Sequence, residues 1–284
     1  GFGFATWEAG FIGMQAPNVH FTRFEKALAQ GRHVLFVETD REDQKKLKKV
    51  LNLNNQPLAN SYLSKKDWQT IRGRNLGMVF QEPQSSLNPS MRCGPQVMER
   101  MQQSKIGKPK DYRYKVLEAF DKVKLSQPER IFKAYPHELS GGQKQRVMIA
   151  MALSCNPQVL IADEPTTALD VTTQSQILFL LKELQEEYGM TIIFITHDLG
   201  VVGEIADYVG VMYLGEMVEY GDVYTIFEKP VHPYTKDLLA SIPTIDREWD
   251  QRLNPIEGSV PSLNQRPNGC CYHPRCLVRK KVCE

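Results

Sequence analysis

The sequence predicts an α/β fold with a mainly parallel sheet and a helical insertion. Short apolar runs rich in β-branched residues end abruptly in polar residues at Val159–Asp163 and Thr191–Thr196, as buried parallel strands do. A segment with helical periodicity, Asp170–Tyr188, separates these two runs. Residues 95–135 lack strand patterning and are predicted to be helical, with breaks at Gly107–Lys110 and at Gln127–Pro128.

Composition limits the classes of protein to which the chain can belong. With 284 residues, 42% of them hydrophobic, the chain can bury a sizeable core. A net charge of +2, with dispersed basic residues, predicts no nucleic-acid partner. No run of about eighteen apolar residues occurs, so a role at a membrane would require a membrane partner. The chain begins with Gly1 rather than Met, which suggests a fragment.

The segment Leu139–Gln143 is predicted to open a helix that binds phosphate. Ser140 is a favourable N-cap, and the following residues, Gln143–Ser154, favour a helix. Gly141 and Gly142 allow the backbone to approach a ligand closely, and the N-terminus of a helix favours anions. The segment therefore indicates a phosphate-binding function.

Polar side chains that suit Mg²⁺ and water follow the predicted strands. Asp163 and Glu164 end one apolar run, and paired carboxylates there suit Mg²⁺ binding and water activation. Gln81 follows a strand predicted at Leu76–Phe80 and can ligate Mg²⁺ or orient water. His197 ends the strand at 191–196, where it can contact a γ-phosphate.

The order of these motifs resembles that of the ATPase subunits of ABC transporters, from about Ser61 to the C-terminus. The sequence from Gln81 to Pro89 and the tail His232–Leu239 are similar to those of oligopeptide and dipeptide importers. The resemblance implies a P-loop NTPase-like fold with an incomplete N-terminal part. It divides the chain into residues 1–57, an ABC ATPase domain at 58–230 with a helical subdomain at about 92–150, and an importer extension at 231–284.

The resemblance also implies roles for individual residues, with ATP and Mg²⁺ as cofactors. Asp163 would hold Mg²⁺ through water, and Glu164 would polarise the attacking water. Gln81 would couple Mg²⁺ to the transporter, and His197 would support the γ-phosphate. The resemblance also implies that Asp170 is one of the nucleotide-binding residues. The residues that would act on the ATP of a partner subunit are Ser140, Gly141, Gly142 and Gln143, here named the signature segment (Ser140–Gln143).

The partners implied by the resemblance all belong to a transport complex. They are transmembrane permease subunits, a second ABC ATPase in a head-to-tail dimer and, indirectly, an extracytoplasmic peptide-binding protein. The implied location is peripheral, at the cytoplasmic face of the membrane. The implied activity is ATP hydrolysis that energises peptide import.

One expected motif, the P-loop GxxxxGK[ST], does not occur in the sequence. The only Gly-Lys pair, Gly107-Lys108, precedes a proline and follows the glutamine loop. Residues 1–57 instead predict a strand, His33–Glu38, between two helices, and this strand could stand in for the P-loop strand. Two hypotheses follow. The chain is an ATPase subunit whose N-terminal third was lost or replaced, or it is an interaction subunit that donates only the signature segment.

Four of the six cysteines lie in the last fifteen residues. Cys270, Cys276 and Cys283 have a spacing that suits thiolate ligation of a cluster or Zn²⁺. In the resembled importers a similar motif can hold an iron–sulfur cluster, and Cys271 is a possible substitute ligand. The alternative is a reduced, frayed tail without a metal.

Overall fold

The computed structural model describes residues 73–167, 169–242, 256–262 and 266–284. The strand and helices predicted within residues 1–57 lie outside the described residues. The described strands are β1 Leu76–Val79, β2 Val159–Asp163, β3 Thr191–Ile195, β4 Tyr208–Tyr213 and β5 Glu216–Asp222. The described α-helices are α1 Pro83–Ser86, α2 Cys93–Gln103, α3 Tyr112–Lys122, α4 Pro128–Lys133, α5 Gly141–Leu153, α6 Val171–Tyr188, α7 Leu199–Ile205, α8 Val223–Glu228 and α9 Pro233–Ala240.

A parallel sheet with the strand order β1-β2-β3 forms the first of two compact units. In its register Met78 pairs with Ile161, which in turn pairs with Ile193. The predicted parallel arrangement is therefore confirmed. Strand β2 is central and almost fully buried, and both of its edges are paired.

Strand β3 is less buried than its sequence predicts. Its first four residues are only partly buried, and the side chain of Ile195 is 41% exposed. Within the described residues β3 pairs with β2 alone, so one edge has no described strand beside it. The prediction that this run is a buried strand is wrong in that respect, because an apolar composition does not reveal how many neighbours a strand has.

The helices between β1 and β2 form the predicted helical part of the same unit. Their apolar side chains share one core, with Val97, Phe120 and Ile131 fully buried. The predicted breaks are confirmed, since α2 and α3 are separated near Gly107 and α4 begins at Pro128. These helices lead through a 3₁₀ turn at Pro136–Glu138 into α5.

Helix α6 connects the end of β2 to the start of β3. Asp170 caps it, and its apolar face buries Ile177, Leu181 and Leu184. The helix predicted from the sequence is thus confirmed, with Asp170 as N-cap rather than first helical residue. A short loop that begins at Glu164 connects the end of β2 to the start of α6. The first turn of α6 therefore follows soon after Asp163 and Glu164 in the chain.

The second unit contains the hairpin β4–β5 and the C-terminal segments. Leu214 and Gly215 both have positive φ angles, as a tight hairpin turn requires, which confirms the predicted hairpin. The tail packs against this unit, since Tyr272 is fully buried and contacts Tyr213 edge to face. The expectation of a frayed tail is wrong for residues 266–284, because aromatic burial holds them.

Within the described ranges, no helix has both the length and the apolar character that crossing a bilayer requires.

Candidate functional site

Three side chains of the first unit meet at Glu164, and together with it we name them the Glu164 cluster (Gln81, Glu164, Thr167 and His197). The amide Nε2 of Gln81 and the hydroxyl of Thr167 each donate a hydrogen bond of 2.8 Å to Oε2 of Glu164. Nδ1 of His197 lies 2.9 Å from Oε1. The structure therefore brings together the three predicted catalytic residues, Gln81, Glu164 and His197, because each follows the carboxyl end of a parallel strand.

The backbone at Glu164 holds the carboxylate in this position. Its φ angle is +42°, a left-handed conformation that costs energy for a residue with a side chain. The N–H of Glu164 donates to the carbonyl of Ile195 at 2.9 Å, and its carbonyl accepts from the N–H of Thr167 at 3.1 Å. Bonds to β3 on one side and to the following turn on the other thus fix the direction of the side chain.

The hydrogen bonds to Glu164 keep it ionised. The bond with His197, followed by the bond from Thr167, lowers the pKa of Glu164 below its ordinary value. An ionised carboxylate only accepts hydrogen bonds, so the Nδ1 atom of His197 donates to it. The exposed His197 ring is then oriented by the carboxylate, and Glu164 is in the form that can take a proton from water.

Asp163 has a different environment, although it precedes Glu164 directly. Burial, followed by the neighbouring negative charge of Glu164, raises the pKa of Asp163. Both effects oppose ionisation, and a divalent cation would offset both. Carboxylate and amide oxygens, which Asp163 and Gln81 supply, are the donor types that Mg²⁺ prefers. The residues present therefore fit the predicted magnesium ion.

The signature segment forms the N-terminus of α5 as predicted. The hydroxyl of Ser140 accepts from the N–H of Gln143 at 3.3 Å, and Oε1 of Gln143 accepts from the N–H of Ser140 at 3.1 Å. This capping box secures the helix start through side chains. The first N–H groups of an α-helix have no acceptor within the helix, so such a terminus can bind a phosphate.

Asp170 does not belong to the Glu164 cluster. Its Oδ1 accepts from the N–H of Thr173 at 2.9 Å, and its Oδ2 accepts from the Thr173 hydroxyl at 2.7 Å. The backbone bond, followed by the hydroxyl bond, lowers the pKa of Asp170. Both carboxylate oxygens are thus engaged in capping α6. A direct contact of Asp170 with nucleotide stays a prediction.

The sequence reasoning missed Thr167. Its hydroxyl shares Oε2 of Glu164 with Gln81, so it helps to orient the carboxylate. A threonine shortly after a strand that ends in acids is a weak signal, since Thr also occurs there as an ordinary turn residue. Only the tight turn that begins at Glu164 brings the hydroxyl back to the carboxylate.

The predicted cluster ligands Cys270, Cys276 and Cys283 do not form a metal site. In the part of the chain that the structure describes, no three Cys, His, Asp or Glu side chains are arranged to hold a metal ion. The substitute, Cys271, is buried, and its thiol donates to the carbonyl of Tyr213 at 3.6 Å. The predicted iron–sulfur cluster is therefore not supported, because this segment directs Cys271 into a small aromatic core.

Two family models match the chain. The model "ABC transporter" matches residues 40–167, which include Gln81, the signature segment and Glu164. The model "Oligopeptide/dipeptide transporter, C-terminal region" matches residues 218–283. The two matches follow one another in the order that the sequence predicts.

Curated relatives match about three quarters of the chain. The oligopeptide transport ATP-binding protein AppD of Bacillus subtilis (strain 168) is 53% identical over 217 residues, which are 76% of this chain and 66% of AppD. The dipeptide transport ATP-binding protein DppD of the same organism is 48% identical over 222 residues, 78% of this chain and 66% of DppD. The chain thus spans slightly less than two thirds of the length of these relatives.

Solved structures decide the family. CbiO1 from Clostridium perfringens, part of the ABC transporter complex cbiONQ, is 31% identical and has a TM-score of 0.52, over 68% of this chain and 78% of cbiO1. The chain belongs to the ABC transporter family. A second ABC transporter cassette, MJ0796 in a dimeric post-hydrolysis state with ADP and Pi, is 30% identical with a TM-score of 0.51, over 64% of this chain and 80% of that chain.

Membership in the ABC transporter family confirms two expectations. The P-loop NTPase-like α/β fold is that of the solved ABC cassettes. The resemblance to oligopeptide and dipeptide importers is confirmed by the names of the relatives and by the C-terminal family model.

Proposed function

We propose that the chain is the ATP-binding and ATP-hydrolysing subunit that energises peptide import by an oligopeptide or dipeptide ABC transporter. It would act peripherally at the cytoplasmic face of the membrane, with permease subunits, a second ATPase and, indirectly, an extracytoplasmic peptide-binding protein. The observation that carries this proposal is the hydrogen-bonded convergence of Gln81, Thr167 and His197 on Glu164. The relatives named as peptide transport ATP-binding proteins support the substrate class.

Glu164 is the proposed general base. It is ionised, and its carboxylate is oriented by three donors, so it can accept a proton from an attacking water. Gln81 and Thr167 hold one oxygen, while His197 binds the other and presents its exposed ring to the solvent side. We assign His197 to the support of a γ-phosphate and Gln81 to the link between this cluster and the permease.

Asp163 is the proposed Mg²⁺ residue, with Gln81 as its second contact. Bound Mg²⁺ would neutralise charge on the phosphates during transfer. Asp163 supplies a carboxylate whose ionised form is disfavoured by burial and by Glu164, so it gains most from a nearby cation. An iron–sulfur cluster is not part of this proposal.

The signature segment is proposed to act on the nucleotide of a partner subunit. Its capped helix start is exposed at Ser140 and Gly141, where a phosphate can approach the backbone. A head-to-tail dimer would then combine the signature segment of one subunit with the phosphate site of the other. The dimeric state of the MJ0796 cassette is consistent with this arrangement.

The test is ATP hydrolysis by a transporter assembled in vesicles from this chain, its permease subunits and a second ATPase. The second ATPase carries a replaced catalytic acid, so that turnover reports on this chain. We expect Glu164→Gln to lower the rate by about a hundredfold or more, since general-base catalysis is lost. Glu186→Gln, on the exposed face of α6, is the matched control and should leave the rate unchanged. An unchanged rate in Glu164→Gln would refute the proposed role of Glu164.

A second candidate is an interaction subunit that donates only the signature segment to a partner's site. The intact capping box of α5 supports this candidate as well as the first. The interaction subunit would need no P-loop of its own. Nucleotide binding by the isolated chain, with and without Mg²⁺, separates the two. Micromolar binding contradicts the interaction-only candidate. Absence of binding, together with turnover restored by a partner that carries its own P-loop, supports it.

A further inference from the structure

The start of α5 and the first turn of α6 approach each other closely where Gly142 faces Thr173. A Cβ atom built on Gly142 would lie 2.7 Å from Cγ2 of Thr173, which is closer than real Cβ atoms approach a neighbour. A Cβ built on Gly141 would lie 3.5 Å from Cδ2 of Leu169, an ordinary contact. Gly142 is therefore required by the methyl group of Thr173, whereas Gly141 has room for a side chain.

The methyl group of Thr173 cannot easily give way. A β-branched side chain in a helix has few accessible χ1 rotamers. The hydroxyl of Thr173 donates to Oδ2 of Asp170 at 2.7 Å, and its N–H donates to Oδ1 of the same carboxylate at 2.9 Å. Rotation about χ1 would break the hydroxyl bond. Asp170 thus fixes the rotamer that directs Cγ2 towards Gly142.

The position of Thr173 depends on the loop that carries Glu164. Within this loop the carbonyl of Glu164 accepts from the N–H of Thr167 at 3.1 Å, and the carbonyl of Thr166 accepts from the N–H of Leu169 at 3.3 Å. Asp170 follows directly as the cap of α6. Two turn hydrogen bonds and the Asp170 cap therefore lie between the backbone of Glu164 and Thr173.

Farther along the two helices, a second contact maintains their alignment. Nη2 of Arg146 on α5 donates to Oε1 of Gln176 on α6 at 3.4 Å, while its Nη1 donates to the carbonyl of Val123 at 2.7 Å. The two helices are joined at their N-terminal ends by Gly142 and Thr173 and again about one turn later. The N-terminal parts of α5 and α6 are therefore in contact at two levels.

We infer that Thr173 is a positioning residue: its methyl group, oriented by Asp170, sets the place of the signature segment relative to the Glu164 loop. This inference rests on the proposed function, in which the signature segment serves a partner's nucleotide. Thr173 would touch neither nucleotide nor metal. It would couple the state of one subunit's own acid loop to the phosphate-binding amides that the subunit offers across the dimer.

The first test uses thermal unfolding of the full chain and does not depend on activity. We expect Gly142→Ala to lower Tm by about 5 °C, because overpacking strains the contact. Gly141→Ala is the matched control and should leave Tm unchanged or raise it slightly, since Ala favours the helix. Adding Thr173→Ser to Gly142→Ala removes the methyl and keeps the hydroxyl, so it should restore at least half of the loss. Equal Tm values for the two alanine variants, or no restoration, would overturn the inference.

The second test measures steady-state ATP hydrolysis by the assembled transporter with an unmodified partner ATPase. Thr173→Ser should lower kcat about tenfold, since misplaced catalytic groups lose rate, and should change KM for ATP less than about twofold. Thr172→Ser, an identical change at the exposed neighbouring residue, is the control and should have wild-type kinetics. A purely structural contact would alter Tm but leave kcat at the wild-type value, and that result overturns the positioning role. If the assembly with the wild-type chain shows no ATP hydrolysis, the proposed function is refuted. The Tm comparison of the alanine variants then still shows whether Gly142 and Thr173 are in tight contact.

Discussion

The Nδ1 atom of His197 lies 2.9 Å from Oε1 of Glu164, although the two residues are 33 positions apart in the chain. The parallel pairing of β2 with β3 produces this proximity, because it aligns the ends of both strands. The contact orients the imidazole and keeps the carboxylate ionised. The proposed hydrolytic role of Glu164 therefore depends on a residue from another strand.

Replacing the histidine tests this dependence. We expect His197→Ala to reduce kcat of the assembled transporter by about a hundredfold, because both the orientation of Glu164 and the support of the phosphate are lost. His137→Ala is the matched control, since His137 is an exposed residue that stacks on Tyr135. Steady-state hydrolysis assays measure the effect. Comparable rates for the two variants would contradict the assigned role of His197.

Thr167 offers a test of a residue that only the structure revealed. Thr167→Val keeps the shape of the side chain but removes the hydroxyl that donates to Glu164. We expect kcat to fall about tenfold, as loss of one hydrogen bond to a charged group typically costs about 1.5 kcal/mol or more. Thr167→Ser retains the hydroxyl and should stay within about twofold of wild type. If both variants lose activity equally, packing rather than the hydrogen bond explains the role of Thr167.

The capping box of α5 predicts a stability effect. Ser140→Ala removes the hydroxyl that accepts from the N–H of Gln143, and we expect the free energy of unfolding to fall by about 1 kcal/mol. Urea denaturation of the full chain measures this change. Ser175→Ala, inside α6, removes a hydroxyl that bonds the preceding turn and should not destabilise the protein. A stable Ser140→Ala variant would mean that the cap contributes little to folding.

Glu219 in the second unit predicts a pH dependence of stability. Its carboxylate accepts from the N–H groups of Val231 at 2.6 Å and His232 at 3.0 Å. Burial opposes ionisation, but the hydrogen bonds outweigh it and lower the pKa of Glu219 below 4.5. The folded pKa lies below the unfolded one, so the stabilisation is fully present well above the unfolded pKa and disappears as the pH falls through the folded pKa.

Chemical denaturation between pH 3 and pH 7 tests this expectation. Glu219→Gln should be less stable than wild type by about 1 to 3 kcal/mol at pH 7, because it loses charge-assisted bonds, and the difference should shrink in acid. Glu204→Gln, on the exposed surface of α7, is the control and should follow the wild-type curve. A difference that is independent of pH would show that ionisation of Glu219 is not involved.

The sequence by itself determined most of the local structure and the choice of candidate residues. Apolar runs located β2, periodicity located α6, and Ser140 marked the start of α5. These features follow from interactions within a few residues of each other, such as capping and side-chain periodicity, which a sequence displays directly. The same local patterns supplied Gln81 and Glu164 as candidates.

The tertiary structure alone decided how these residues meet. Gln81 and Glu164 are 83 positions apart, and only the sheet brings their side chains within hydrogen-bond distance. The partial exposure of β3, the burial of Tyr272 and the contact of Gly142 with Thr173 likewise arise between distant segments. Their physical reason is packing in three dimensions, where the neighbours of a residue depend on the path of the whole chain and not on its adjacent sequence.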